Sequence, residues 1–281
     1  MTRGERAFWE FVVARQAAYW RRERGDGPPY SDDPVLAKFH FCNVYREADR
    51  GTRWFQAHRR RRGARGLGLE FALWDSVTYR LVNRVATFEA FGGIPAALEI
   101  PRFLRFLRAE MRAGAPVFTG RHFVKGVEMY ERSLRHFDER LEETAATVRR
   151  AGSLRDAARE LQAAPGVGPF FSWQILCDLL ECRVLPEHLV VDSRTWALLG
   201  PGALRGAALV DPGAPALDVA RSLVLSQPTD GSLVPPPEAP GPMSLKNVEH
   251  SACEFARYAR ARESLETGES AGLEVKPWAK R

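Results

Sequence analysis

Cysteine, lysine and long apolar segments are all scarce in this sequence. Its 281 residues include four cysteines, Cys42, Cys177, Cys182 and Cys253, and none has the paired spacing of a zinc site or the density of a disulfide scaffold. We therefore expect no metal site and a reducing compartment, the cytoplasm or nucleoid, or the nucleus in a eukaryote. No apolar run approaches the ~20 residues that cross a bilayer, and charges interrupt the N-terminal stretch where a signal peptide is apolar. We expect neither a membrane contact nor secretion.

The shortage of lysine leaves arginine as nearly the whole positive charge. Only five of the 41 basic residues are lysine, and the formal net charge is +6. Guanidinium groups bind phosphate in a bidentate way and stack on bases, so this bias favours a nucleic-acid partner. A coding bias that replaces lysine by arginine throughout explains the composition equally well.

Alternating strand-like patterns are also scarce, and the apolar residues recur at three- and four-residue spacing. This spacing predicts an all-α protein. Helices are expected over residues 5–24, 33–58, 71–91, 103–112, 120–135, 137–151, 153–163 and 244–263, with another beginning near Ser193. We expect residues 1–263 to form one unit, or two lobes of about 25–150 and 151–212 plus flanking helices. A Pro- and Gly-rich excursion is expected at 228–242, and a mobile tail at 264–281.

The segment from Ser153 to Asp192 places an amphipathic helix, a Pro-Gly-Val-Gly turn and an apolar helix in succession. Glycine at Gly166 and Gly168 lets the backbone amides of the turn, with Val167, approach a phosphate closely. Such a helix-hairpin-helix element holds DNA without reading its sequence. The alternative is an ordinary corner between two helices.

This segment resembles the helix-hairpin-helix DNA glycosylase superfamily. There the hairpin is followed by Val-Asp-Thr/Ser, whose Asp is the catalytic carboxylate, and the resemblance assigns that role to Asp192. Helix capping is the simpler role for Asp192, and the two roles can coexist. The superfamily's Schiff-base lysine is replaced here by Phe170, and its iron–sulfur cysteines have no counterpart. If the chain is a glycosylase, the resemblance therefore implies that it is a monofunctional one.

Four further strings combine polar and aromatic residues. In residues 39–50, a helix would place Asn43, Arg46 and Arg50 on one face, suited to a base and phosphate or to a buried Arg–Asp network. Asn83 lies within an apolar helix that ends at two glycines. Gly202 and Arg205 belong to a glycine-rich turn suited to pyrophosphate, or to a plain loop. Residues 245–258 contain Lys246, Glu249, His250 and Cys253, which suit acid–base chemistry or simple charge pairing along a helix.

Together these strings resemble the helical-domain family of 5-hydroxymethyluracil DNA kinases and the related α-glutamyl/putrescinyl thymine pyrophosphorylases. The matching stretches are residues 32–55, 81–95, 165–180, 200–206 and 245–258. The resemblance implies an all-α, glycosylase-like fold that acts on a flipped 5-hydroxymethyluracil-derived base in double-stranded DNA. No Gly-Lys-Ser/Thr sequence of a P-loop occurs, so kinase activity by this polypeptide alone is disfavoured.

The resemblance implies replacement of pyrophosphate at the 5-methylene by an amine or amino-acid co-substrate, with no certain cofactor. It assigns the base pocket to Asn43, Tyr45, Asn83 and Trp173; pyrophosphate binding to Arg46, Arg50, Gly202 and Arg205; catalysis to Asp192; and acid–base chemistry to Glu249 and His250. A thymine dioxygenase or a 5-hydroxymethyluracil DNA kinase would act upstream. The alternatives are a monofunctional glycosylase and a non-catalytic reader of modified DNA that partners a kinase.

Overall fold

The computed structural model describes residues 1–63, 68–119 and 126–268, and this part of the chain is all-α, without a β-strand. It has thirteen α-helices: α1 Arg3–Glu23, α2 Pro34–Lys38, α3 Arg50–Arg61, α4 Leu69–Val82, α5 Val85–Phe91, α6 Ile100–Arg112, α7 Gly126–Arg150, α8 Leu154–Gln162, α9 Pro169–Glu181, α10 Glu187–Asp192, α11 Pro201–Val210, α12 Ala216–Leu225 and α13 Leu245–Thr267. Among the described helices, none combines the length and apolar character needed to span a membrane. The predicted fold class is confirmed. The predicted glycosylase-like topology stays a prediction.

Two compact units divide the chain, one formed by residues 1–49 with 194 onward and the other by residues 50–193. The expected organisation, a single unit over 1–263 or two lobes of about 25–150 and 151–212 plus flanking helices, stays a prediction. In the first unit, α1 and α11 pack on α13. Close backbone approach makes this packing possible, because a Cβ on Gly206 would lie 1.9 Å from the carbonyl oxygen of Ala252. The glycines of the predicted phosphate turn are therefore also packing positions.

The second unit is built on α4, which packs against α7 and α9. From Ala72 to Val82 every residue of α4 is buried, as is every residue of α9 from Phe171 to Leu179. A helix that is apolar on nearly all sides belongs in the interior of a domain. The hairpin helices α8 and α9 pack on each other in this unit.

The helix predicted over residues 33–58 is wrong between Phe39 and Tyr45. Helix α2 ends at Lys38, a 3₁₀ turn covers Arg46–Ala48, and α3 begins at Arg50. Distant carboxylates and amides bind the backbone N–H groups that a helix would use. The amide of Cys42 donates to Glu254 Oε2 at 3.2 Å, and that of Arg46 donates to Asn247 Oδ1 at 3.0 Å. The helical face predicted for Asn43, Arg46 and Arg50 does not form.

Four other predicted helices differ from the structure. The helix over 71–91 is broken at Asn83, which adopts a left-handed conformation with φ 52° and ends α4. The helices over 120–135 and 137–151 form a single α7 with a kink at Arg140, and residues 120–125 lie outside the described residues. On α6, Met111 is 46% exposed, although it follows the buried Leu107 by one helical turn. The last helix extends to Thr267, so the predicted tail is helical at 264–267, and 269–281 lie outside the described residues.

The region after Asp192 also differs from expectation. No helix begins at Ser193, because Asp192 is the last residue of α10 and the next helix starts at Pro201. Gly202 and Arg205 therefore lie in a helix and not in a turn. Helix α12 ends at Leu225, before the Pro- and Gly-rich excursion expected at 228–242, and residues 228–242 contain no helix, as expected. This excursion packs on α1, where Gln16 Nε2 and Trp20 Nε1 donate to the carbonyl oxygen of Val234 at 2.6 and 3.0 Å.

Candidate DNA-binding hairpin and arginine cluster

The predicted hairpin is formed by α8, a turn over residues 163–168, and α9. Ser153 caps α8 as expected, its hydroxyl accepting from the amide of Asp156 at 3.2 Å. Only Gly166 has a left-handed backbone, with φ 76°, whereas Gly168 has φ −88° and ψ −173°. The expectation that both glycines adopt glycine-only angles is therefore wrong for Gly168. A Cβ at Gly168 would meet nothing within 4 Å, so this edge of the turn is open.

Asp192 lies at the base of this hairpin. Its Oδ2 accepts a hydrogen bond of 2.7 Å from the amide of Leu154, the first residue of α8. Amides at the start of a helix lack partners within the helix, and a carboxylate there also meets the positive end of the helix dipole. Asp192 thus caps α8, which lies earlier in the sequence, and does not cap a helix that directly follows Asp192.

A buried ion pair fixes the second hairpin helix to α4. Asp178 is fully buried and accepts from Arg80 Nε at 2.7 Å, from Arg80 Nη2, and from Ser76 Oγ at 2.6 Å. Burying such a pair is costly unless its remaining hydrogen bonds are made, and here the carboxylate has three donors. This network sets the position of α9, and with it the position of the turn.

The predicted aromatic and amide residues of the second unit have different environments. Trp173 is 3% exposed, within the apolar part of α9, while Phe170 at the start of that helix is 39% exposed. Asn83 ends α4, and its backbone N–H donates to the carbonyl oxygen of Tyr79 at 2.6 Å. The exposed ring at the hairpin is therefore Phe170, which the sequence prediction did not include among the site residues.

In the first unit, two of the motif strings meet, although about two hundred residues separate them. Lys246 Nζ lies 2.7 Å from Glu47 Oε1, and Asn247 Nδ2 lies 3.2 Å from Glu47 Oε2. Lys246 therefore pairs with the 3₁₀ turn, through Glu47. His250 Nδ1 and Glu249 Oε2 are 3.5 Å apart. In the described part of the chain, no group of three or more His, Cys, Asp or Glu side chains is arranged to hold a metal ion.

Arginines surround the irregular segment 39–49, where the base pocket was predicted. Asn43 uses both ends of its amide, accepting from Arg22 Nη2 at 2.9 Å and donating to the carbonyl oxygen of Ala48 at 2.9 Å. Arg46 forms an ion pair with Asp49. Tyr45 is 1% exposed, with its hydroxyl 3.2 Å from the carbonyl oxygen of Gly241. These contacts form a partly buried Arg–Asp network, as in the alternative that the sequence offered, and the base-pocket assignment stays a prediction.

The predicted pyrophosphate ligands are divided between the two units. Arg46 and Arg205 belong to the first and Arg50 to the second. Arg50 and Arg205 are exposed, and neither forms an ion pair with a residue of the described ranges. A Cβ on Gly202 would lie 2.3 Å from Cys253 Sγ, so this glycine lies against α13. Arg50 and Arg205 are thus the accessible members of the predicted set.

The sequence prediction did not include Arg15, Glu254 and Arg257. Arg257 Nη1 lies 2.6 Å from Glu254 Oε1, and Arg15 Nη2 donates to Ser251 Oγ at 2.6 Å. One signal in the sequence was available. Arg15 follows Val12 by three residues and precedes Tyr19 by four, so a cation occupies the apolar face of α1.

Comparison with known proteins identifies the family. The family model described as "5-hmdU DNA kinase, helical domain" matches residues 3–267. The chain belongs to this family. Its members include a relative in Bacillus phage SP10, the "5-hmdU DNA kinase", which is 28% identical over 227 residues. The match covers 69% of this chain and 34% of the relative, so the chain spans about a third of that protein.

No solved structure matches the chain. The resemblance to the 5-hmdU DNA kinase helical-domain family is confirmed, and with it a link to the metabolism of modified thymine. The relations to the thymine pyrophosphorylases and to the helix-hairpin-helix glycosylases stay predictions.

Proposed function

We propose that this chain binds duplex DNA through its hairpin, extrudes a pyrimidine derived from 5-hydroxymethyluracil, and substitutes an amine or amino acid for pyrophosphate at the 5-methylene carbon. Membership of the 5-hmdU DNA kinase helical-domain family supports the class of base. The phage relative is named as a kinase of DNA that contains this nucleoside, which supports DNA as the substrate. The observation that carries the proposal is the open glycine turn between α8 and α9.

That turn suits a phosphate for two reasons. The left-handed Gly166 redirects the backbone, and the bare Gly168 lets an anion approach the start of α9 without meeting a side chain. Helix α9 begins at Pro169, and its N-cap residue Gly168 has no side chain to cap the first amides. The positive end of the helix dipole is therefore not covered by a capping side chain. Contacts of this kind hold the DNA backbone and leave base selection to other residues.

The proposed chemistry is a displacement at carbon. The amine nitrogen forms a bond to the 5-methylene carbon as the bond from that carbon to the pyrophosphate oxygen breaks. Pyrophosphate leaves with the electron pair, and the amine proton passes to a base. We assign that base to Asp192, and binding of the leaving pyrophosphate to the exposed Arg50, which belongs to the same unit. A guanidinium stabilises the charge that develops on a departing phosphate oxygen through bidentate hydrogen bonds.

A specific observation also favours a monofunctional DNA glycosylase. Asp192 lies in the same unit as the hairpin, with Oδ2 held by the amide of Leu154. A carboxylate fixed in this way can stabilise positive charge on a sugar while water attacks. A third candidate is a non-catalytic reader of modified DNA that partners a kinase. Such a reader would serve the kinase and need no catalytic carboxylate.

Product analysis separates these functions. The protein is incubated with duplexes that contain thymine, 5-hydroxymethyluracil or its pyrophosphate ester, together with putrescine and glutamate as amine probes. The DNA is then digested to nucleosides for mass spectrometry. Substitution gives a heavier nucleoside and free pyrophosphate only from the ester. A glycosylase gives free base and abasic sites, and a reader changes no nucleoside. Either of the last two results would overturn the proposed substitution.

A further inference from the structure

In the part of the second unit that the structure describes, two phenylalanine rings are exposed, and one of them lies on the hairpin. Phe170, the second residue of α9, is 39% exposed, and Phe71, near the start of α4, is 51% exposed. The next aromatic residues of α9 do not offer a ring to solvent, because Phe171 is 8% and Trp173 is 3% exposed. Phe170 is therefore the aromatic ring of α9 that a bound molecule can contact.

This ring lies beside the open edge of the turn. Side chains of an α-helix lean towards its N-terminus, so a residue covers the surface above the preceding turn of the helix. For Phe170 that surface adjoins Gly168, where a Cβ would meet nothing within 4 Å. A DNA strand whose phosphate is held at this turn therefore brings a neighbouring nucleotide to the ring.

The ring is presented from a fixed support. Its neighbour Phe171 is buried, and the two rings are in edge-to-face contact with their centroids 5.4 Å apart. Further along α9, the buried Asp178 binds Arg80 and holds the helix against α4. Phenylalanine has only two side-chain torsions, and rings of this kind provide contact area at a low cost in conformational entropy.

A nucleobase is the partner that this position suits. Every base has a π-face, and stacking on an aromatic side chain tolerates any sequence, as does a hairpin that holds DNA through its backbone. In an intact duplex, both faces of a base are covered by its stacked neighbours. A ring beside the backbone therefore meets the face of a base only when that base has left the stack.

We propose that Phe170 stacks on the face of the pyrimidine that is extruded from the duplex. This inference rests on the proposed function, since it needs DNA at the hairpin and a base outside the stack. It assigns the base contact to a ring that was not among the predicted site residues, with the adjacent phosphate held at Gly168. The contact fixes the plane of the pyrimidine and leaves the 5-substituent, which is attached at the edge of that ring, open to attack.

A cycle of two deletions, one in the protein and one in the DNA, tests the proposal. The first duplex has a single 5-hydroxymethyluracil opposite an abasic-site analogue, so that this base is unpaired and its extrusion costs least. The second duplex has the analogue in place of the 5-hydroxymethyluracil as well, and it offers no base at this position. Affinities are measured for the full chain, for Phe170→Ala and for Phe71→Ala. Phe71 is the matched control, because its ring is also exposed but lies on α4.

Phe170→Ala should bind the base-containing duplex about 5- to 150-fold more weakly, which is the effect of losing one aromatic stack. It should bind the duplex without the base as tightly as the parent does, with the same dependence on salt. Phe170→Tyr keeps the π-face and should keep the parental preference for the base-containing duplex. Phe170→Leu keeps the apolar bulk without a π-face and should lose most of this preference, which provides a second variant if Phe170→Ala does not fold. Phe71→Ala should change neither affinity.

Three results would overturn the proposal. Equal weakening of both duplexes by Phe170→Ala would make the ring a wedge or a general contact. If Phe170→Ala kept the parental preference for the base-containing duplex, base extrusion would stand and Phe170 alone would be removed from it. A parent that binds neither duplex, or prefers neither, would contradict the proposed DNA binding and base extrusion themselves, and this inference with them.

Discussion

Replacing Asp192 by asparagine separates its role as a helix cap from a catalytic role. Asparagine keeps an oxygen that can accept from the amide of Leu154, now 2.7 Å from Oδ2, but loses the negative charge at the start of α8. A charge at a helix N-terminus contributes about 0.3–1 kcal/mol, so Asp192→Asn should lower the free energy of unfolding by less than ~1 kcal/mol. Asp192→Ala also removes the acceptor and should cost about 1–2 kcal/mol.

Catalysis should respond far more strongly. Loss of a general base commonly costs ~100-fold or more in rate, equivalent to ~2.7 kcal/mol of barrier. Urea denaturation measures the stability of each variant, and single-turnover kinetics on the pyrophosphorylated duplex measure the rate. Asp156→Asn is the matched control, because Asp156 is an exposed acid in the first turn of α8, the helix that Asp192 caps. Near-parental turnover in Asp192→Asn would leave Asp192 as a cap alone and refute its catalytic assignment.

Three other outcomes follow from the described contacts. Asp178→Asn leaves the Arg80 guanidinium buried with a weakened partner, so it should lower the free energy of unfolding measured in urea by about 3–5 kcal/mol. A decrease below ~1 kcal/mol would contradict the stabilising role of this network. Arg50→Lys should recover only part of the activity lost in Arg50→Ala, with free pyrophosphate inhibiting the parent; two variants equal to the parent would remove Arg50 from the site. Burial and neighbouring arginines hold the pKa of His58 at about 4, below its ordinary 6.5. The contribution of His58 to the free energy of unfolding is therefore complete above pH 6.5 and is lost as the pH falls towards 4. His58→Gln should reduce the drop in the urea midpoint between pH 7 and pH 5. An unchanged drop would exclude His58 as a cause of this pH dependence.

Local sequence signals predicted the parts of the fold that depend on neighbouring residues. Ser153 caps α8 through an amide three residues away, and Gly92 ends α5 in a left-handed conformation. Both patterns need only a few consecutive residues. The hairpin belongs to this class, since its helices and turn occupy one continuous stretch.

The irregular segment 39–45 could not be predicted in this way. Its spacing is compatible with a helix, but the amides of Cys42 and Arg46 bind Glu254 and Asn247, which follow about two hundred residues later. The environment of Asp192 is a similar case, because its partner Leu154 lies on a preceding helix. Tertiary contacts of this kind override local periodicity and leave no local trace.

The most direct test of the central claim is the affinity of the hairpin for duplex DNA as salt is varied. Gly168→Glu adds a side chain and a negative charge at a position where a Cβ meets nothing within 4 Å, so the fold should tolerate it. Ala109→Glu, on the exposed face of α6, is the control. For the parent and the control, log affinity should fall with log salt by about 0.9 for each phosphate contacted. Gly168→Glu should bind at least about tenfold more weakly, with a shallower slope. Equal affinity and slope in a folded Gly168→Glu would contradict the account.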